Sequence, residues 1–161
     1  MKKLLFIVYA IIALTGCVRD NIGETDTVTT EYERNISKAL NGKFHGERHS
    51  TVTNVTECED IEFIPYDKPR PIDGFFGSFT AYGIAITCDY VNNNKPFATY
   101  RNYYSLGTRG DNITLSFYRC SEDGSVVDRE DRRILEVQTS DLFYMRPYGT
   151  TKENNYMYKR K

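Results

Sequence analysis

The chain has 161 residues, with 21 Lys and Arg against 22 Asp and Glu and a formal net charge of −1. That near-neutral balance leaves no electrostatic footprint for nucleic acid, and the length is that of one domain. It has 13 Tyr and nine Phe but no Trp, and these residues favour strands, where a large ring packs on a pleated face.

Met1-Lys2-Lys3 precedes an apolar run from Leu4 to Leu14. About eleven residues fall well short of the roughly 20 needed to span hydrocarbon. A charged start, a short apolar segment and small residues before a cut describe a secretory signal. Leu14-Thr15-Gly16-Cys17 closes the run and resembles the lipobox of bacterial lipoproteins. The resemblance implies a signal peptide over 1–16, cleavage before Cys17, and acylation of that cysteine by diacylglycerol and a further chain such as palmitate. Each buried CH₂ contributes about 0.8 kcal/mol, so several chains anchor firmly without a spanning helix. Val18 stands where an Asp would imply inner-membrane retention. In a Gram-negative cell envelope this implies the outer membrane, on its periplasmic face or at the surface.

Residues 17–28 are the lipidated start and a polar, aperiodic tether. Within it, Asp26-Thr27-Val28 resembles an O-glycosylation sequon of exported bacterial proteins, which implies a glycan on Thr27. The domain is expected over 29–161. Its first element is a short helix, about Thr30 to Leu40, with Thr30 and Glu33 in a capping-box pattern and Asn41-Gly42 as the stop. Tyr32, Ile36, Ala39 and Leu40 share one face.

Everything after Gly42 reads as strand, at about 43–56, 59–66, 75–82, 84–91, 97–106, 111–119, 126–138, 141–146 and 154–160. Hairpin punctuation falls at Pro71 to Gly74, Asn92 to Asn94, Gly107 to Asp111, Glu122-Asp123-Gly124 and Ser140-Asp141. Alternation puts Ile113, Leu115 and Phe117 inward, and also Ile84, Ile86 and Cys88. Cys120 shares the opposite parity with Ser116 and Tyr118, so Cys88 and Cys120 are expected to face different ways and stay unpaired. After lipidation, Cys58, Cys88 and Cys120 can make one disulfide at most. The expected fold is all-β: an antiparallel up-and-down meander of about eight strands closing into a barrel, preceded by the helix. A β-sandwich is the alternative.

Asn41-Gly42-Lys43-Phe44-His45-Gly46 follows the helix and opens the first strand. It resembles the Gly-x-Trp start of lipocalin-like domains, with Phe44 where the family has Trp. The closing segments Leu142 to Met145 and Tyr156 to Arg160 resemble the last hairpin of such proteins. The likeness implies a barrel-closing contact in which Arg160 covers Phe44, worth about 0.5–2 kcal/mol as a cation–π pair.

No nucleophile elbow, zinc-protease helix, phosphate loop or dinucleotide fingerprint occurs. Catalytic residues, cofactors and a metal site are therefore not expected. His45 and His49 share a strand face but lie roughly 13 Å apart at about 3.3 Å per residue. The run Asp128-Arg129-Glu130-Asp131-Arg132-Arg133 reads as a solvated strand or loop with local ion pairs, or as a patch for a partner. The aromatic set Phe75, Phe76, Phe79, Tyr82, Tyr90, Tyr100, Tyr103 and Tyr104 either fills the core or lines a cavity for an apolar ligand or flat sugar ring. In the cavity reading the ligand residues are Phe75, Phe79, Tyr82, Tyr90, Tyr100, Tyr103 and Tyr104. These features describe a membrane-tethered binding protein of lipocalin-like type. The alternative is a protein-interaction module such as an envelope inhibitor or surface-complex subunit. Tyr118-Arg119-Cys120 is similar to the Tyr-x-Cys segments of periplasmic lysozyme inhibitors.

Overall fold

The computed structural model describes residues 31–50, 55–74, 77–91 and 95–161. The expected signal peptide, lipidated Cys17, tether, Thr27, the capping Thr30 and the ring of Phe75 lie outside these described residues. Helix α1 (Glu31–Ala39) leads into β1 (Gly42–Ser50), β2 (Val55–Gly74), β3 (Gly77–Val91), β4 (Lys95–Arg109), β5 (Asn112–Cys120), β6 (Val126–Thr139) and β7 (Leu142–Pro147). A 3₁₀ turn, Lys152–Asn154, precedes β8 (Tyr156–Arg160). Each strand pairs antiparallel with the next, and β8 returns to β1, so the meander closes into an eight-stranded barrel with no open edge. The sandwich alternative is thereby excluded.

Helix α1 plugs one end. Glu31 and Glu33 in its first turn and Lys38 in its last suit the helix dipole. Ile36 and Leu40 join the barrel core as expected, but Tyr32 is exposed. Ser37 takes the buried place instead, sharing a 2.8 Å hydrogen bond with the Tyr104 hydroxyl. Tyr82 donates to Glu33 at 2.6 Å. Burial, then the Glu33 contact, holds the Tyr82 phenol well above its ordinary pKa.

Below the plug, Phe44, Phe63, Tyr104, Phe117, Phe143 and Tyr158 fill the barrel. Phe44 meets Phe143 edge-on at 4.8 Å, and Phe143 stacks on Tyr158 at 4.9 Å. Each such ring contributes about 1.5–3 kcal/mol on full burial. Arg160 seals this end. Its guanidinium lies 4.6 Å over the Phe44 ring and donates to the carbonyls of Ala39, Asn41 and Ser140. Gly42, at φ 128°, ends the helix, and a Cβ there would meet Arg160 Nη1 at 2.3 Å. One residue thus ties helix, first strand and last strand together.

The strand boundaries depart from expectation in two regions. The segment expected as one strand over 43–56 divides, with β1 ending at Ser50 and Val55 and Thr56 opening β2 opposite Ser50 and His49. The segments 59–66, 75–82 and 84–91 become two long strands, β2 and β3, paired out to Gly74 and Gly77. The register shifts between Pro65 and Arg70, where prolines cannot donate to the ladder. Beyond this bulge the hairpin forms an arm that bends back over the outer wall. Tyr104 and Phe117 belong to the core, so their chain neighbours Tyr103 and Tyr118 face outward. Yet Tyr103, Ile84 and Cys120 are buried, packed with Ala81, Tyr66, Ile72 and Phe79 of the arm. Phe79 stacks on Tyr118 at 3.7 Å.

This arm explains a misread face. Ile84, Ile86 and Cys88 are apolar and alternating, but they line the outer side. The inward row of β3 is Ala85, Thr87 and Asp89. The inward row changes phase at Gly83, because Tyr82 lies in the core and Ala81 in the outer cluster. A Cβ at Gly83 would meet the Ile64 carbonyl at 2.3 Å, so only glycine fits. Cys88 and Cys120 therefore both lie outside, correcting their expected opposition. Cys58, Cys88 and Cys120 are all free thiols.

Candidate functional site

The other end of the barrel carries a polar mouth. Along β2 the inward positions read Glu59, Ile61, Phe63; along β6 they read Asp131, Arg133, Leu135. The inner face thus passes from charged to apolar along each strand. The charged ends enclose a cavity of about 110 Å³, lined by Glu59, Thr87, Asp89, Tyr100, Asn102 and Phe117 together with Arg119, Asp128, Asp131 and Arg133.

Its floor is an ion pair. Arg133 donates through Nη1 to Glu59 Oε1 at 2.6 Å and through Nη2 to Oε2 at 2.9 Å. Tyr158 adds its hydroxyl to Oε1 at 2.5 Å, and Arg133 Nε reaches Asp131 at 3.0 Å. Two parallel bonds from a planar fork fix the geometry as well as the charge. Burial alone would lower the Arg133 pKa, but Glu59 outweighs it and holds the guanidinium firmly charged.

Asp89 stands directly opposite Glu59 on the neighbouring strand. Burial, then the Glu59 charge, raises its pKa above the ordinary aspartate range. On the far wall, Arg119 lies 3.8 Å over the Tyr100 ring and 3.4 Å from Asp128. The buried Nε of Arg119 has no hydrogen-bond partner. Asn102 stretches its amide toward the Thr87 hydroxyl at 3.3 Å and the Ala85 carbonyl at 3.4 Å.

The expected aromatic wall does not assemble. Of its described members, only Tyr100 lines the cavity. Tyr82 and Tyr104 are packed into the core under α1. Phe79 and Tyr103 lie on the outer wall beneath or within the arm. Tyr90 is also outside, donating to Asp60 at 2.7 Å. The physical reason is the phase change at Gly83 together with the alternation of Tyr103 and Tyr104.

The residues that do form the mouth were visible as parity. Glu59 stands two residues before Ile61, and Arg133 two before Leu135, each where an inward row passes from charged to apolar. The dense charged run therefore divides. Asp131 and Arg133 turn into the cavity with Asp128 at its rim, while Arg132 faces out over the Tyr148 ring. His49 is exposed, whereas His45 is half-buried and held by Asp60. Compared with known proteins, the chain matches no family model, no curated protein and no solved structure.

Proposed function

We propose that this protein is a lipid-anchored cell-envelope binding module of lipocalin-like type, which takes a small hydroxyl-rich group, such as the end of a glycan, into the polar mouth. The observation that carries this reading is one acceptor in excess of the cations. Arg133 takes up Glu59 and Asp131, and Arg119 meets Asp128, which leaves Asp89 as the carboxyl of the mouth that no guanidinium holds. A ligand that donates hydrogen bonds suits such a site. Pockets that bury a drug-sized ligand run to about 300–1,000 Å³, so a cavity near 110 Å³ takes only a small group.

Binding without catalysis is the better reading of the carboxylates. Acid–base work by a pair needs one carboxylate free to attack or to take a proton. Both oxygens of Glu59 are already engaged by Arg133 and Tyr158. The second reading, a protein-interaction module, is favoured by the packed aromatic interior. In either case the anchor would hold the barrel near the membrane through Cys17. The test is a glycan array probed with the wild type and with Asp89→Asn and Arg119→Met. Selective binding by the wild type, lost in both variants, supports the reading; binding that survives both substitutions places the ligand elsewhere and overturns it.

A further inference from the structure

We propose that His45, Glu47 and Cys58 form a binding site for a zinc-class divalent metal ion on the outer wall of the barrel, on the opposite face of the sheet from the mouth. One donor atom from each residue lies within 4.8 Å of the others. The strands create this convergence. His45 and Glu47 are two residues apart on β1 and share its outer face, and the register sets Cys58 of β2 directly opposite Glu47. Directly opposed side chains in an antiparallel pair have Cβ atoms only about 4.5–5.5 Å apart. The His45 and His49 spacing is too long for one ion, but a same-face neighbour plus a cross-strand neighbour is short enough. This revises the expectation of no metal site.

The imidazole is oriented for the task. Its Nδ1 lies 2.7 Å from Asp60 Oδ1, and Asp60 stands opposite His45 in the register. Asp60 is itself held by the Tyr90 hydroxyl at 2.7 Å and by Lys161 Nζ at 2.6 Å. Metal-binding histidines almost always give their second ring N–H to a carboxylate, a backbone carbonyl or water. In the neutral tautomer that keeps its proton on Nδ1 toward Asp60, the Nε2 lone pair faces Glu47 Oε1, 3.2 Å away, and a metal ion would take the place of the proton that otherwise bridges them. Two electron donors facing each other, with a sulfur beside them, are what a cation would bridge.

The donor set selects the metal class. An imidazole nitrogen, a thiolate and a carboxylate oxygen are the borderline ligands that zinc takes at about 2.0–2.3 Å. Reaching those lengths needs the donors to close by about 1 Å. The exposed Glu47 side chain has the freedom to supply that movement. The Cys58 thiol proton passes to solvent as the sulfur–metal bond forms. Three protein ligands leave a fourth position for water or an outside ligand.

The test uses the full chain, reduced and stripped with chelator, titrated with Co²⁺ as a spectroscopic probe and then with Zn²⁺. The expected result is a thiolate-to-cobalt charge-transfer band that Zn²⁺ bleaches. Cys58→Ser should abolish the band, while Cys88→Ser and His49→Ala keep it. Glu47→Gln, on the exposed wall, should weaken Zn²⁺ binding at least about tenfold, and the positioning change Asp60→Asn about 10–100-fold. Far-ultraviolet dichroism shows whether each variant keeps the barrel. Absence of a band, persistence of the band in Cys58→Ser, or an unchanged Zn²⁺ affinity in Glu47→Gln would each overturn the site.

Discussion

Replacing Glu59 by Gln probes the floor of the mouth directly. The substitution keeps shape but removes the charge that Arg133 faces through two bonds of 2.6 and 2.9 Å. The pair is well shielded, with side-chain exposures of 17% for Arg133 and 8% for Glu59. Breaking a buried pair from one side costs about 3–5 kcal/mol, because the remaining charge is left uncompensated. Asp131 stays on Arg133 Nε and offsets part of this, so the expected cost is about 3 kcal/mol, the low end of that range. At roughly 4 °C per kcal/mol for a domain of this size, the melting temperature should fall by about 12 °C. The same logic makes Arg133→Met comparably harmful, whereas the double variant Glu59→Leu with Arg133→Met leaves no orphaned charge. It also takes both partners from the buried Tyr158 hydroxyl, so that double variant should lie about 1–3 kcal/mol below the wild type, well short of the two singles added together. Urea unfolding of the wild type, Glu59→Leu, Arg133→Met and their double variant closes the cycle, with Glu59→Gln measured beside them. A cost below about 1 kcal/mol for Glu59→Gln, or a double variant whose loss equals the sum of the singles, would refute the reasoning.

Three further outcomes follow from the packing. Arg160→Ala should cost about 2 kcal/mol, combining the ring contact with Phe44 and the lost hydrogen bonds to three carbonyls. Arg160→Lys should restore little of it, since an ammonium lacks the planar fork; unchanged urea midpoints in both would dismiss the clasp. Asp89 has a native pKa raised above its unfolded value, so the native state holds the extra proton. Its contribution therefore diminishes as pH rises from about 3.9, the unfolded value, through the raised native one. Asp89→Asn should flatten that decline and match or exceed wild-type stability at pH 7, and a steeper decline in the variant would contradict the sign. Phe79→Ala should loosen the arm, and the buried Cys120 thiol should then react faster with a disulfide reagent in the native state. An unchanged Cys120 rate would show that the arm does not cover it.

The all-β meander and its closure were legible because alternation and turn residues are local signals. Leu115 and Phe117 declared the inward row of β5, and Phe44 and Arg160 marked where the first and last strands meet. The helix was legible too, apart from its exact buried face. The arm was not, because Ile84 and Ile86 alternate as a core strand would, and what covers them is the far end of their own hairpin, turned back beyond the register shift between Pro65 and Arg70. Period-2 patterning reports that a face is buried, not which side of the sheet it is on. The aromatic wall was overread for the same reason, since Tyr103 and Tyr104 must point opposite ways. The mouth was underread. Glu59 and Arg133 stand where inward rows turn from apolar to charged, and inward charges at one end of several strands are the sequence signature of a polar site. Cross-strand convergence, as in His45, Glu47 and Cys58, depends on register and cannot be seen in spacing alone.

The central claim is that the polar mouth binds a hydroxyl-rich group. An amide-resolved NMR titration of the full chain with the best-binding saccharide from the array tests it most directly. Shifts centred on Asp89, Tyr100, Asn102, Arg119 and Asp131, saturating together, are the predicted result. Shifts centred on the arm around Phe79 and Tyr103, or none at the mouth at saturating saccharide, would contradict it.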